Sequence, residues 1–493
     1  MPAATPYFGL IMNQSIETEI SAFTIQKSSS RQRALNWQDL REAVTGTQQD
    51  FTEGGLGRAI TLLAIPMVLE MMMESLFAVV DVFFVARLGA DAVAAVGLTE
   101  SLITLTYAIA IGLSMSITAM VARRIGEKNA AGAAVASVQA IGLGIAVSAP
   151  IGVIGILFAP ELLALLGASP SIIEIGAGYT AHLLGGNVTI QLIFIINAIF
   201  RGAGDAVLAM RALWIANFFD IVLDPCLIFG WGPFPEMGVA GGAVATNIGR
   251  GLGVLYQLSV LWRGRSRIKI LPEQWRLNLE VMRRLLRVSL GGIFQFLVAT
   301  ASWLLLTRIV AIFGSAALAG YTIALRILVF AILPSWGLGN AAATLVGQNL
   351  GAQKPERAER SVWISGVSNM VFLGAVTIIF LLFAEPLVRI FTDDPIVIPF
   401  AVDCLRYISY GYIFYAYGMV VVQAFNGAGD TTTPTIINLC CYWLFQIPLA
   451  YALAMPLGLG AQGVFLAITI SESTIAVVGV LIFRRGRWKA RKI

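Results

Sequence analysis

The chain has 493 residues, of which 58% are hydrophobic and only 12% charged, with 49 glycines. A soluble domain carries roughly 25% charged residues, so this composition excludes an ordinary soluble enzyme, and the net charge of +5 is read by its location rather than as a nucleic-acid footprint. Apolar runs of about twenty residues recur along the chain, long enough to cross a bilayer as helices. No short apolar region with a small-residue cleavage site opens the sequence, so no cleaved signal peptide is expected.

Residues 1–57 form a polar tail, expected on the cytoplasmic side, in which Leu35, Trp37, Leu40 and Val44 fall near one helical face. That pattern predicts a short helix, either lying in the membrane interface or docked on the protein. Twelve spans follow, the first six at about 60–85, 97–121, 133–158, 173–199, 206–230 and 239–262. The second six lie at about 288–312, 321–346, 361–384, 397–425, 433–456 and 461–483. Residues 58–263 are thus an N-terminal lobe and 286–484 a C-terminal lobe, joined by a basic linker over 264–285 and followed by a basic C-terminus over 485–493. Lys and Arg crowd the linker, the C-terminus and the 2–3, 4–5 and 8–9 connections, with Arg201 counted in the 4–5 connection; the opposite loops hold only Arg87 and Arg389. Positive charge gathers on the cytoplasmic side, which predicts an inner-membrane protein with both termini in the cytoplasm.

The chain repeats itself. FRGAGD after span 4 is answered by FNGAGD after span 10, with Gly202 and Gly427 separated by 225 residues. The same offset relates Gly126 to Gly351 after spans 2 and 8, and Gly89 to Gly314 after spans 1 and 7. An even number of spans per repeat starts both halves on the same side, so two six-helix bundles related by a pseudo-two-fold along the membrane normal are expected.

Span 1 carries Glu70, Glu74 and Asp81, together with Pro66. A carboxylate at bilayer depth costs at least ~2.5 kcal/mol, so it is placed against a partner, a proton or a cation. The proline removes one backbone hydrogen bond and offers a hinge. Glu70 is also explained by a position near the membrane interface. Span 5 adds Asp220 and Asp224, four residues apart on one face, with Asn217 a turn earlier; span 4 adds Gln191 and Asn197. Carboxylates gathered in a low dielectric cannot all ionise at once, which suits a proton relay or a Na+ site at Asp81, Asp220 and Asp224. In the C-terminal half, Gln295, Trp303, Tyr410 and Tyr415 are candidates for a cavity that holds organic cations by stacking and cation–π contact, helix packing being the alternative.

The paired GAGD elements, the RLG and FGS corners after spans 1 and 7, DIVLDP in span 5 and GVAGGAVAT opening span 6 resemble the multidrug and toxic compound extrusion (MATE) family over about residues 58–485. The resemblance implies an all-α fold of twelve transmembrane helices and a secondary antiporter exporting organic, cationic or amphipathic compounds in exchange for H+ or Na+. It implies no enzymatic activity, no cofactor beyond the coupling ion, and a monomer in the bilayer with small organic molecules as partners. The pattern is closest to the family's DinF-like and archaeal branch, and that resemblance assigns coupling to Asp81, Tyr179, Asn197, Asp220 and Asp224, with Pro66 as the bend. Position 220 departs from the family's common Asn. The acids that other members carry in spans 7 and 10 correspond to Ala299 and Tyr415. A flippase for lipid-linked saccharides is the alternative; it is expected to line its cavity with cations, and in-span arginines (Arg250, Arg308, Arg326, Arg406) are few. No nucleophile–base pair, metal-ligand spacing or phosphate loop speaks for an enzyme, and a channel would pass ions without counter-transport.

Overall fold

A computed structural model of the chain describes residues 37–46, 49–491 and 493, excepting the side chains of Ala78, Val79, Asp81, Val82 and Ala86. It is helical, with no strand among the described residues. The first lobe contains span 1 (Leu56–Ala86), span 2 (Ala90–Gly126), span 3 (Ala130–Leu157), span 4 (Pro170–Gly185 with Asn187–Ala203), span 5 (Ala206–Phe229) and span 6 (Val239–Trp262). The second contains span 7 (Leu279–Ala311), span 8 (Ser315–Gly351), span 9 (Pro355–Arg389), span 10 (Val397–Tyr410 with Tyr412–Gly427), span 11 (Thr432–Ala454) and span 12 (Gly460–Arg484). Among the described residues nine helices are long and apolar enough to cross a membrane, or eleven with each bent pair taken as one span. The twelfth is span 6, which is rich in glycine and carries Asn247 and Arg250; it packs along span 5.

The repeat is legible in the geometry. Span 4 bends by 41° at Gly186 and span 10 by 57° at Gly411, again 225 residues apart. A Cβ at Gly186 would strike the Asn247 side chain of span 6, so close approach of that helix accompanies the first bend. Lys128 and Gln353 both adopt left-handed backbone, with φ of 57° and 60°, at equivalent points of the 2–3 and 8–9 turns. Within span 11 the residues Leu439–Gln446 form a π-helix, and this has no counterpart in span 5.

The lobes exchange helices at their junction. Span 1 packs on span 8, and span 7 on span 2. Spans 2 and 8 also pack against each other: a Cβ at Gly126 would overlap the Gln348 carbonyl, and one at Gly351 would overlap the Arg123 carbonyl. These pairs are images of each other in the repeat. Only glycine lets two backbones approach so closely. The contacts lie in the halves of the spans nearest the face that carries the chain ends and the 2–3, 4–5, 6–7, 8–9 and 10–11 connections, here called the terminal face.

The segment before span 1 reinforces this closure. Phe51 is fully buried, with Gly204 of the first lobe against its ring and the Arg267 guanidinium over it at 5.0 Å. From the second lobe, Arg357 donates to the carbonyls of Phe51, Glu53 and Gly54, and Lys354 to that of Thr52 (3.0 Å). The helix Trp37–Thr45 docks through buried Ala43 and through Asp39 and Glu42, which pair with Arg58; Trp37, Leu40 and Val44 remain exposed. Leu35 lies outside the described residues. The linker is shorter than expected from its polarity. Asn278 caps a helix by accepting from the Val281 amide (3.1 Å), so span 7 starts at Leu279.

The close approach of spans 2 and 8 predicts that Gly351→Ala lowers the thermal unfolding midpoint of the detergent-purified protein by several degrees, in line with an overpacking cost of about 1–3 kcal/mol. Gly374→Ala in span 9, where an added Cβ meets nothing within 4 Å, leaves the midpoint unchanged or raises it.

Candidate functional site

The polar interior of the first lobe is layered. Nearest the terminal face, Glu70 of span 1 is buried and accepts from Arg201 (2.8 Å) and Asn197 (3.0 Å), both of span 4. Gln257 of span 6 donates to the Asn197 carbonyl oxygen (2.6 Å), which fixes the orientation of that amide. Arg201 is thus an interior residue. Its place beside the GAGD turn suggested a loop, but its helix runs on to Ala203. Its backbone carbonyl accepts from Thr344 of span 8 (3.1 Å), tying the ion pair to the lobe junction.

One turn deeper, Glu74 accepts from Asn217 of span 5 (3.3 Å) and lies 3.8 Å from the Arg250 guanidinium of span 6. Arg250 in turn donates to the Tyr107 hydroxyl of span 2 (3.1 Å) and interacts with Asp220 of span 5. The Cα of Gly249 places span 6 against Ala216 and Asp220, close enough that a Cβ there would sit 3.1 Å from the Asp220 Cβ. Deeper still, Asp224 and Tyr179 flank one point on span 6: a Cβ at Gly242 would lie 3.9 Å from both Asp224 Oδ1 and Tyr179 Cε2. Asp220, Asp224 and Tyr179 are all buried. Spans 1, 4, 5 and 6 therefore bring Glu70, Glu74, Asn197, Asn217, Asp220, Asp224 and Tyr179 into one interior. Asp81 lies further along the span 1 helix, and its side chain is outside the described residues. Pro66 sits within the continuous helix of span 1, where it frees the Leu62 carbonyl from its usual donor.

Gln191 is also buried but braces span 4 against span 2 through the Thr106 carbonyl (3.1 Å), and it is not among the described residues lining the cavity of the C-terminal aromatics. In the second lobe a cavity of about 410 Å³ is lined by Gln295, Trp303 and Tyr415, and also by Trp336, Tyr442 and Glu472. Tyr410 does not belong to it: the bend at Gly411 leaves this ring 58% exposed on the outer surface of span 10.

Sequence reasoning passed over several of these groups. Glu70 had an interfacial explanation and proves to be the anchor of a buried ion pair. Arg201 was counted only as a connection charge and Arg250 only as one of a few in-span arginines, and Glu472 was not singled out. For Glu472 a signal was present, since an acid in the middle of span 12 invites a functional reading by the same rule that picked out Asp81. For Glu70 the repeat itself was informative: its counterpart at the 225 offset is Gln295, and that of Arg201 is Asn426, so both lobes keep polar groups there.

Comparison with known proteins agrees with this architecture. The family model described as MatE matches residues 66–226 and again residues 292–452, one match per lobe. The chain is 28% identical over 438 residues to "Probable multidrug resistance protein NorM" of Thermotoga maritima, covering 87% of this chain and 93% of that protein. It is 25% identical to a protein of Shewanella oneidensis named "FAD transporter", covering 87% and 95% of the two chains. A crystal structure of MATE in complex with MaL6 superposes with a TM-score of 0.85 at 27% identity, covering 90% of this chain and 99% of that one.

Removing one partner of a buried pair strands the other charge and costs about 3–5 kcal/mol. Glu70→Gln or Arg201→Met alone should therefore lower the unfolding midpoint of the purified protein markedly. The double variant should recover much of the loss, and the non-additivity of the cycle reports the coupling.

Proposed function

The chain belongs to the MatE family, and on that premise we propose that it is a secondary transporter exporting organic, cationic or amphipathic compounds in exchange for inward-moving H+ or Na+. The observation that carries this reading is the charge imbalance inside the first lobe. Among the described residues, Glu70, Glu74, Asp220 and Asp224 face two arginines, Arg201 and Arg250. Two tethered cations cannot neutralise four carboxylates, and in a low-dielectric interior the excess demands protons or a small cation. Such a site changes its charge when an ion enters or leaves, which is what coupling to an ion gradient requires.

In this reading Glu70–Arg201 is the fixed end of the network and Asp220, Asp224 and Asp81 its loadable end. Glu74 and Arg250 connect the two. Loading the deep carboxylates weakens the hold of Asp220 on Arg250 and shifts that guanidinium towards Glu74 on span 1. Span 1 contains Pro66 and packs on span 8, so a rearrangement at the acids reaches the lobe junction. With both termini in the cytoplasm, the closely packed terminal face is the cytoplasmic side, and this conformation is the one closed to the cytoplasm. Among the described residues no Lys, Arg or His lines the second-lobe cavity, which favours organic cations over saccharide pyrophosphates as cargo.

The test is transport by purified protein in liposomes under an imposed pH or Na+ gradient, across a small panel of organic cations. One of the two gradients should drive cation movement in the opposite direction. Asp224→Asn and Asp81→Asn should abolish gradient-driven exchange while leaving a folded protein. Export independent of both gradients, or full exchange by both variants, would overturn the reading.

A further inference from the structure

Glu472 of span 12 is 7% exposed and lines the second-lobe cavity. It makes no ion pair among the described residues; its one hydrogen bond is accepted from the Tyr442 hydroxyl at 3.2 Å. A phenol offers a neutral donor and cannot balance a carboxylate in an apolar surrounding. The charged network of the first lobe does not reach this residue, and its counterpart is Arg250: the 11–12 connection is three residues shorter than the 5–6 connection, so Ser471 against the Cys441 carbonyl answers Gly249 against the Ala216 carbonyl. The acid is therefore peculiar to one lobe.

Three further features describe what the cavity would accept. Gln295 is buried, lines the same space, and its side-chain oxygen has no donor among the described residues. It is a second acceptor left unfilled. Trp303, Trp336 and Tyr415 contribute aromatic wall, and ring faces attract cations with a strength that grows as water is excluded. The volume, about 410 Å³, falls in the range of sites for drug-sized molecules, about 300–1,000 Å³.

The backbone is arranged to present this acid. Tyr442 stands on the π-helical stretch Leu439–Gln446, and π-helical turns are rare and gather at functional sites. The stretch is pinned on three sides: Trp443 donates to the Val298 carbonyl (3.0 Å), Ser302 to Gln446 (3.1 Å), and Ser471, the neighbour of Glu472, to the Cys441 carbonyl (3.1 Å). Held in this way, the phenol meets the carboxylate from span 11 and leaves its cavity side available.

We propose that Glu472 is the specificity-determining anchor for the cationic nitrogen of the cargo, with the Gln295 oxygen as second acceptor and the aromatic walls holding a flat or bulky apolar body. The ligand class is a monovalent organic cation with an aromatic skeleton. This assignment rests on the reading of the chain as an exporter of organic cations, and it is tested by binding alone, with no gradient.

The probes are N-methylacridinium, a permanent cation, and acridine, which has nearly the same rings and is neutral at pH 8. Binding to the full-length protein in lipid nanodiscs is followed by probe fluorescence. The wild type should prefer the cation by at least about tenfold. Glu472→Gln should weaken cation binding at least about thirtyfold while changing acridine binding less than about threefold; Glu472→Asp should restore part of the loss. Gln295→Glu, which adds a carboxylate at the second acceptor, should tighten the cation and leave acridine unchanged, and it keeps the question open to decision if Glu472→Gln fails to fold. Equal loss of both probes in Glu472→Gln, unchanged cation binding in it, a wild type that does not prefer the cation, or no tightening in Gln295→Glu would overturn the proposal. If the wild type binds the cation as expected but moves none under either gradient, the transport reading fails and the anchor stands. If it transports while Glu472→Gln binds the cation normally, the anchor fails and the transport reading stands.

Discussion

A charge inside a bundle that spans a bilayer has to be compensated where it sits, because no solvent is available to do it. The ion pair between Glu70 and Arg201 satisfies that constraint at the base of the first lobe, and much of the structure follows from it. Arg201 closes span 4 just before the glycine turn, while its carbonyl is held by span 8. Asn197 and Gln257 are oriented by the same carboxylate, so spans 1, 4 and 6 are registered to one another by a single acid. Above it, Glu74 and Arg250 repeat the arrangement at longer range with spans 1, 2, 5 and 6. The first lobe is thereby tied together near the terminal face and carries further buried carboxylates, Asp220 and Asp224, deeper in.

Symmetry builds the scaffold, and departures from it mark chemistry. Bends at Gly186 and Gly411, left-handed residues at Lys128 and Gln353, and reciprocal glycine contacts across spans 2 and 8 all obey the 225-residue offset. The ionisable interior does not. Glu70 and Arg201 answer to the amides Gln295 and Asn426, Asp220 and Asp224 to Phe445 and Leu449, and Glu472, where a shorter 11–12 connection makes the offset 222, to Arg250. The two lobes are one backbone plan carrying two different sets of charges. One lobe has a network with a surplus of acids. The other has a cavity with a solitary one.

Much of this was legible in the sequence. Span count and the duplication follow from apolar run length and from glycines whose spacing the backbone enforces. The cluster of spans 1, 4 and 5 follows from helical periodicity, which places Asp220 and Asp224 on one face of span 5. What the sequence hides is which helix a long side chain meets. Arg201 sits next to a turn and reads as a loop charge, yet the last turn of span 4 carries it inward. Arg250 looks isolated until span 6 is laid against spans 1 and 2. Tyr410 reads as a cavity aromatic in a run of tyrosines, and a break one residue later at Gly411 leaves it outside. The π-helix of span 11 has no evident sequence signal, and it decides that Tyr442 rather than another aromatic meets Glu472.

The central claim is that the excess carboxylates of the first lobe bind the coupling ion and give it up when cargo binds. The most direct measurement is ion release itself, followed with a pH or Na+ indicator as a saturating organic cation is added to the purified, lightly buffered protein. The account predicts a near-stoichiometric burst of H+ or Na+ from the wild type, and its loss in a protein carrying Asp220→Asn and Asp224→Asn that still binds the cation. The same burst from that double variant would contradict it.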